Sequence, residues 1–549
     1  MSFLEFFNFA NIHFILAIFV SILNAVVLVL VAKKFFQILQ ISGYKIKGYN
    51  VWLKDTKAKY ISRVTMLSLL SLACVLVTNF VFAPYNQNLL FSYLALVFYL
   101  VFAIVFVVHA NKPPQKNPLV QTRRMSRLIT LLFLVGFVIS FVLIWVSVAF
   151  IPFLSVGVIV LTPILVPGLV PLVHFALVPL ENLIRLSYIK KAKKRLAKFP
   201  NLTKIALTGS YGKTSVKYIL NKLLAEKYDV CITPHSFNTP MGITKVVLKY
   251  LKKHHNLLIV EMGAKQMGDI RYLCDIVKPH HAVITGVGSQ HYETFGSEEN
   301  IAKTKYELIE SLPDGAIAVF NGDSKTCVSL YEKCTLENKL SVSLENGGLI
   351  EAKNIELQTS GTSFDLCHDG KTQKCFTALL GRHNVLNILL ASAMALKLGV
   401  GLEEIAESLK DLESVSHRLE MTTNGNITIL DDAYSTNVEG AKCALEVLGL
   451  FKDHIKVCVT PGIVEMGAKE FEVNKTFGEQ IAKVADYAII VNKVNQEALT
   501  QGLTEAGFDK DKILPAENLE LAKKQIKQIT NLKEKFVVLF SNDLPDNYT

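Results

Sequence analysis

The sequence predicts an α-helical transmembrane region of about five spans, followed by an α/β region built on mostly parallel sheets. Three observations predict it. The hydrophobic excess lies almost wholly in the first 180 residues. Beyond them, short apolar strands alternate with helical segments. A glycine-containing turn joins the first of those strands to the first helix.

The whole chain has 549 residues, 51% hydrophobic and only 19% charged, with mean hydropathy +0.34. That balance excludes intrinsic disorder and argues against an entirely soluble protein. A net charge of +11 suits anionic partners. The positive charge sits largely in loops that flank apolar runs, and no interleaved aromatic and basic residues stand out, so no nucleic-acid partner is expected. Nine cysteines without a CxxC pair indicate neither a zinc ribbon nor a disulfide framework.

Asn11 to Ala32 is an apolar run closed by Lys33 and Lys34. Val64 to Ala83 is a second and Leu89 to Val108 a third. Leu128 to Leu180 is too long for one span and reads as two, with a break near Pro152 and Ser155. Pro163, Pro167, Pro171 and Pro179 stud the last, where they either kink it around a cavity or are tolerated irregularities. Glu5 stands where a cleavable signal carries Lys or Arg. The loop after the first span holds Lys45, Lys47, Lys54, Lys57, Lys59 and Arg63, and the one after the third holds Lys112, Lys116, Arg123, Arg124 and Arg127. By the positive-inside rule both loops face the cytoplasm, as does everything after Leu180. The run Lys190, Lys191, Lys193, Lys194, Arg195 and Lys198 then meets lipid of the inner face, or is simply a stop-transfer flank. With no charged residue inside a span, and only His174 near an end, a transporter is disfavoured.

Strands are expected at Lys204–Leu207, Leu257–Glu261, Ala282–Thr285 and Ala316–Phe320. A second series follows at Ile427–Leu430, Ile455–Val459, Tyr487–Val491 and Phe536–Phe540. The expected organisation is a transmembrane region 1–183, a basic linker 184–201, a P-loop-type central domain 202–411 and a Rossmann-like C-terminal domain 412–549.

The turn Thr208-Gly209-Ser210-Tyr211-Gly212-Lys213-Thr214-Ser215 lies between strand and helix. Backbone amides of Gly209, Ser210, Gly212 and Ser215 can converge on phosphate oxygens at a helix N-terminus. Lys213 can reach outer phosphates, and the Thr214 hydroxyl can bind Mg²⁺. The strict GxxxxGK[ST] pattern fails, because Leu207 replaces its first glycine. A plain βα turn with a surface lysine is the alternative.

Five further segments accompany the loop. They are Asn238-Thr239-Pro240-Met241-Gly242, Glu261-Met262-Gly263-Ala264, the stretch His291 to Lys305, Gly381-Arg382-His383-Asn384-Val385-Leu386-Asn387, and Asp431-Asp432-Ala433-Tyr434-Ser435-Thr436-Asn437. In this order they resemble the Mur ligase family, and within it the type that adds D-alanyl-D-alanine to a muramoyl-tripeptide. The resemblance implies an ATP-dependent amide-bond ligase of peptidoglycan precursor synthesis, with ATP and Mg²⁺ as cofactors. Its expected substrates are D-alanyl-D-alanine and a UDP- or lipid-linked muramoyl-peptide acceptor.

The same resemblance implies roles. Lys213 holds phosphates. Thr214, Glu261 and His291 are metal-linked, although imidazole is an unusual ligand for a hard cation. Lys305, 14 residues after His291, is carbamylated into a carboxylate ligand, with Lys303 as competitor. Asn384 and Asn387 bind adenine, Arg418 contacts the nucleotide, and Asp432 is brought to it by the last domain. Cap, turn or surface roles are the alternatives read from the residues alone. The family's usual UDP-gripping N-terminal domain is replaced here by apolar spans, and Phe540 to Asp546 lacks the family's Lys-Gly-Ser type loop. A lipid-linked acceptor, or a scaffold with a vestigial nucleotide domain, are the rival readings.

Overall fold

A computed structural model describes residues 3–55, 59–82, 96–97, 99–101, 103–104, 118–150, 159–288, 292–434, 437–530 and 534–542. The chain divides into two compact units, one containing Met1–Ile184 and the other Arg185–Leu544.

The first unit is helical: Phe3–Ile41, Ile46–Asp55, Lys59–Phe82, Arg123–Phe150, a 3-10 segment Ile159–Leu165, and the start of Val166–Leu196. Three helical stretches among the described residues are long and apolar enough to cross a bilayer: Phe14–Ile41, Arg123–Val146 and Ile159–Leu196. About five spans were expected. The apolar stretch described at the second is the shorter Val64–Val77, and most of the third lies outside the described residues. The expected break near Pro152 and Ser155 also lies outside them, between the Arg123 helix and the 3-10 segment. Pro163 falls in that 3-10 segment, and Pro171 and Pro179 lie inside the following helix.

This unit is joined internally by buried neutral polar groups and by an ion pair. The fully buried Asn24 amide donates to the hydroxyls of Ser140 and Thr162, each at 2.8 Å. Those hydroxyls donate in turn to the Gly136 and Ile159 carbonyls. Gly136 lets the helices close up, since a Cβ there lies 2.8 Å from Leu28 Cδ1. Trp52 packs edge-on against Phe35 at 6.0 Å. Arg127 grips Glu181 with two bonds, at 2.6 and 2.8 Å.

In the second unit, a six-stranded sheet runs β2-β3-β1-β4-β5-β6, all parallel. Its strands are β1 Thr203–Thr208, β2 Val230–Ile232, β3 Leu257–Glu261, β4 His281–Ile284, β5 Ala318–Asn321 and β6 Lys339–Val342. The central strands are apolar along their length because helices cover both faces. One face packs Leu207, Val216 and Leu220 against Ile388 and Leu389. The other packs Ala206, Val260 and Ile284 with Ile243, Ile270 and Leu308, and takes in Ile189, Ala192 and Leu196.

A three-stranded antiparallel sheet follows, β7 Glu351–Gln358, β8 Gly361–His368 and β9 Lys371–Thr377, which the expected strand series did not include. Its buried Phe364 and Leu366 join the first core. A second six-stranded sheet has the order β10-β11-β15-β12-β13-β14. It comprises β10 Glu420–Asn424, β11 Ile427–Asp432, β12 Ile455–Thr460, β13 Tyr487–Val491, β14 Ile513–Ala516 and β15 Phe536–Ser541. Only β10 runs antiparallel. All eight expected strands form, within a residue or two of their expected ends.

Candidate functional site

Register places the site. β1 lies between β3 and β4, with Leu207 opposite Glu261 and Thr208 opposite Ile284. The loop leaving β1 therefore emerges where the carboxyl ends of three parallel strands converge, the usual place for ligands on such sheets. The loop is held by Ser210, whose amide donates to the Gly286 carbonyl at 2.7 Å and whose hydroxyl donates to that of Gly288 at 3.0 Å. At Gly209 a Cβ would come within 2.2 Å of Thr285 Oγ1. At Gly212, with φ +77°, it would come within 2.8 Å of Asn387 Oδ1. Gly212 caps the helix Lys213–Leu224. The loop is thus a close-fitting turn at a helix N-terminus, with Thr214 and Ser215 in its first turn. Lys213 Nζ turns back to the Gly209 and Ser210 carbonyls, at 2.6 and 3.2 Å. Burial lowers its pKa to about 8.

Glu261, at the end of β3, is 1% exposed. Its Oε2 accepts from Thr214 Oγ1 and from Lys217 Nζ, both at 3.0 Å, and its Oε1 accepts from Asn238 Nδ2 at 3.0 Å. Burial pushes its pKa up, but Lys217, Lys213 and the Asn238 bond outweigh this and hold it below the usual carboxylate range. The Thr214 hydroxyl and the Glu261 carboxylate are hard oxygen donors side by side, a set that fits Mg²⁺. Lys217 was missed from sequence.

Lys305, on the helix Glu298–Glu310, is 3% exposed, whereas Lys303 on the same helix is exposed. Burial, aided by the charge of Lys213, lowers the Lys305 pKa to about 7, against the opposing pull of Asp269 and Glu307. Glu307 is fixed by the Gly268 and Arg271 amides at 2.8 and 2.9 Å. His291 lies outside the described residues.

Asn384 and Asn387 sit one turn apart on the helix Arg382–Lys397, joined by a 3.3 Å bond from Asn387 Nδ2 to Asn384 Oδ1. They line one cleft with Tyr211, Gly212, Ser215, Arg418 and Asp432. The structure therefore gathers the loop, the asparagine pair, Arg418 and Asp432 around one space, while Glu261 sits beside the same loop through Thr214. The Arg418 guanidinium lies 4.5 Å over the Tyr434 ring, and the Tyr434 hydroxyl hydrogen-bonds that of Ser236. His417 Nδ1 bonds Asp431 at 2.8 Å beside Glu420; this trio, with His417 exposed and both acids half-buried, has metal-ligating atoms but no second indication of an ion.

Residues 207–395 match the Mur ligase middle domain. The chain is 36% identical over 251 residues to the UDP-N-acetylmuramoyl-tripeptide–D-alanyl-D-alanine ligase of Mycobacterium tuberculosis, covering 45% of this chain and 49% of that one. It thus spans about half the length of these first relatives. The Escherichia coli ligase of the same name is 29% identical over 328 residues, 59% of this chain and 72% of its own. The crystal structure of MurF ligase from Thermotoga maritima in complex with ADP superposes with TM-score 0.59 at 28% identity, covering 65% of this chain and 80% of that one.

Proposed function

Because the chain carries a Mur ligase middle domain and is homologous in sequence and structure to D-alanyl-D-alanine-adding ligases, we propose that it is an ATP- and Mg²⁺-dependent amide-bond ligase of cell-wall precursor synthesis. It activates the terminal carboxylate of a muramoyl-tripeptide as an acyl phosphate and joins it to the amine of D-alanyl-D-alanine. The observation that carries this reading is the meeting of Lys213, Thr214 and Glu261 where the strand ends converge, with the buried Lys305 close enough to feel the Lys213 charge.

The chain's own groups divide the work. Lys213 exchanges two carbonyls of its own loop for phosphate oxygens, so the amine is in place before nucleotide arrives. The backbone of Gly209 to Ser215 cradles those oxygens. Thr214, Glu261 and a carbamylated Lys305 would hold Mg²⁺, with His291 added by resemblance. When bound, the metal supplies positive charge to the transferring phosphoryl group. Asn384 and Asn387 can donate and accept at once, as an adenine edge requires. Arg418 and Asp432 close the cleft from the C-terminal segment and keep water from the acyl phosphate. A non-catalytic scaffold is not favoured.

The second reading keeps this chemistry and changes the acceptor to a lipid-linked muropeptide. The three apolar helices favour it, since they would keep the ligase at the inner face of a bacterial cytoplasmic membrane, against its anionic lipid. Purified full-length protein, given ATP, Mg²⁺ and D-alanyl-D-alanine, is offered UDP-linked or lipid-linked tripeptide. Phosphate release with the UDP-linked acid supports the first reading, and release only with the lipid-linked acid the second. Turnover that survives Lys213→Ala overturns both.

A further inference from the structure

One charged side chain at the heart of the site has no part in the chemistry above. We infer that Lys217 is a positioning residue: it locks Glu261 and the 233–239 loop together, and it makes metal retention at Glu261 depend on nucleotide phosphate. The inference rests on the ligase reading for the identity of the metal site.

Lys217 has no exposed surface. Its Nζ lies 3.0 Å from Glu261 Oε2, and the same amine donates to the carbonyl of His235. Thr214 and Lys217 are three residues apart on one helix and so share a face. One helix turn thereby delivers a hydroxyl and an ammonium to a single carboxylate oxygen. The other oxygen is held by Asn238, whose own carbonyl accepts from Gly263 N at 2.9 Å. The neighbouring Tyr218 hydroxyl accepts from the His235 amide at 3.2 Å. His235, in the left-handed region with φ +47°, is thus gripped at both its amide and its carbonyl by successive residues of the nucleotide helix. The next residue is Ser236, whose hydroxyl meets Tyr434 beneath Arg418. Through this chain, Lys217 sets the position of a carboxylate and of the loop that contacts the C-terminal segment.

The charge arithmetic gives the second half. Glu261 is neutralised internally by Lys217. A divalent cation approaching Oε2 meets an ammonium already seated on that oxygen, so Glu261 offers it no net negative charge. Added phosphates reverse the balance, because they bring several negative charges to the same point. The nucleotide-free protein therefore leaves Glu261 to Lys217, and cation and nucleotide enter together.

The test uses full-length protein in detergent with Mn²⁺ as the probe. Free Mn²⁺ is counted by electron paramagnetic resonance, and melting midpoints are read in parallel. Wild type without nucleotide is expected to bind no Mn²⁺ that Glu261→Gln abolishes, and to gain such binding on addition of ADP. Lys217→Met leaves a buried carboxylate unpaired. It should melt more than about 5 °C lower, and Mn²⁺ without nucleotide should restore it. Lys217→Met/Glu261→Gln should melt above Lys217→Met alone and lose the Mn²⁺ response. In turnover, Lys217→Met should lower kcat at least about 50-fold while the ATP KM moves less than about threefold. Glu261-dependent Mn²⁺ binding by nucleotide-free wild type overturns the inference. So does simple additivity of the two substitutions. If Lys217→Met does not fold, the wild-type and Glu261→Gln arms with and without ADP still decide it. None of the metal readouts uses an acceptor acid, so failure of the ligase reading shows separately, as absent phosphate release with every acid offered.

Discussion

The two units bury polar groups in opposite ways. In the unit containing Met1–Ile184, the buried described polar residues are neutral, apart from the titratable His174, and include Ser21, Asn24, Ser140 and Thr162. The unit Arg185–Leu544 buries Lys217, Glu261 and Lys305 almost completely, all near one loop. A neutral amide among hydroxyls needs only hydrogen-bond partners. A buried ion costs several kcal/mol even after relaxation, and a fold retains it only where it is paired or used. Among the described residues, buried Lys and Glu side chains thus lie in the second unit, which suits the site proposed there.

The comparison breaks most visibly at Lys213. Lys213→Ala should lower phosphate release at least about 10³-fold, measured by coupled assay, because it removes the ammonium that the loop holds on its own carbonyls. Lys305→Ala should cost about 10²-fold or more, partly recovered by added small carboxylates; full activity sinks the carbamate role. The same lysine carries a pH signature. Its pKa is about 7 in the fold and 10.5 as the ordinary value. Between these limits the unfolded chain holds a proton that the folded one has lost, so stability rises with pH there. Lys305→Met should flatten that rise in a denaturation series from pH 7 to 10. Glu261 acts in the same direction at acid pH. Its depressed pKa contributes stability above the ordinary carboxylate value that is lost as pH falls through the folded value. Glu261→Gln should blunt that acid sensitivity.

Smaller effects sharpen the contrast. Asn387→Ala should raise the ATP KM about tenfold with little change in kcat, since one amide contact to a base contributes on the order of 1–2 kcal/mol. Asn24→Leu should cost only about 1 kcal/mol in detergent unfolding and leave turnover unchanged. A large loss of turnover on Asn24→Leu would show that the first unit does more than anchor.

Much of the α/β plan was legible because parallel strands buried on both faces are continuous apolar runs, as in Leu257–Glu261 and Tyr487–Val491. The sheet Glu351–Thr377 was missed for the opposite reason. Its strands are half exposed and rich in Lys, Glu and Thr, with Phe364 and Leu366 on one face only. In the site, the glycine turn was readable from its place between a strand and a helix, whereas the Asn384–Asn387 pair came only from the family resemblance. Lys217 was not readable, because a lysine four residues after Lys213 on a helix reads as solvated. The signal available was its place on the face of Thr214, flanked by Val216 and Leu220. Only the fold brings His235 and Glu261 to it.

The Trp52 ring packed on Phe35 has a practical consequence. The chain has two tryptophans, Trp52 and Trp145, and both belong to the helical unit. Selectively excited indole emission therefore reports on that unit alone, with the α/β part optically silent. A tryptophan introduced at Tyr434 would give the nucleotide cleft its own fluorescent voice.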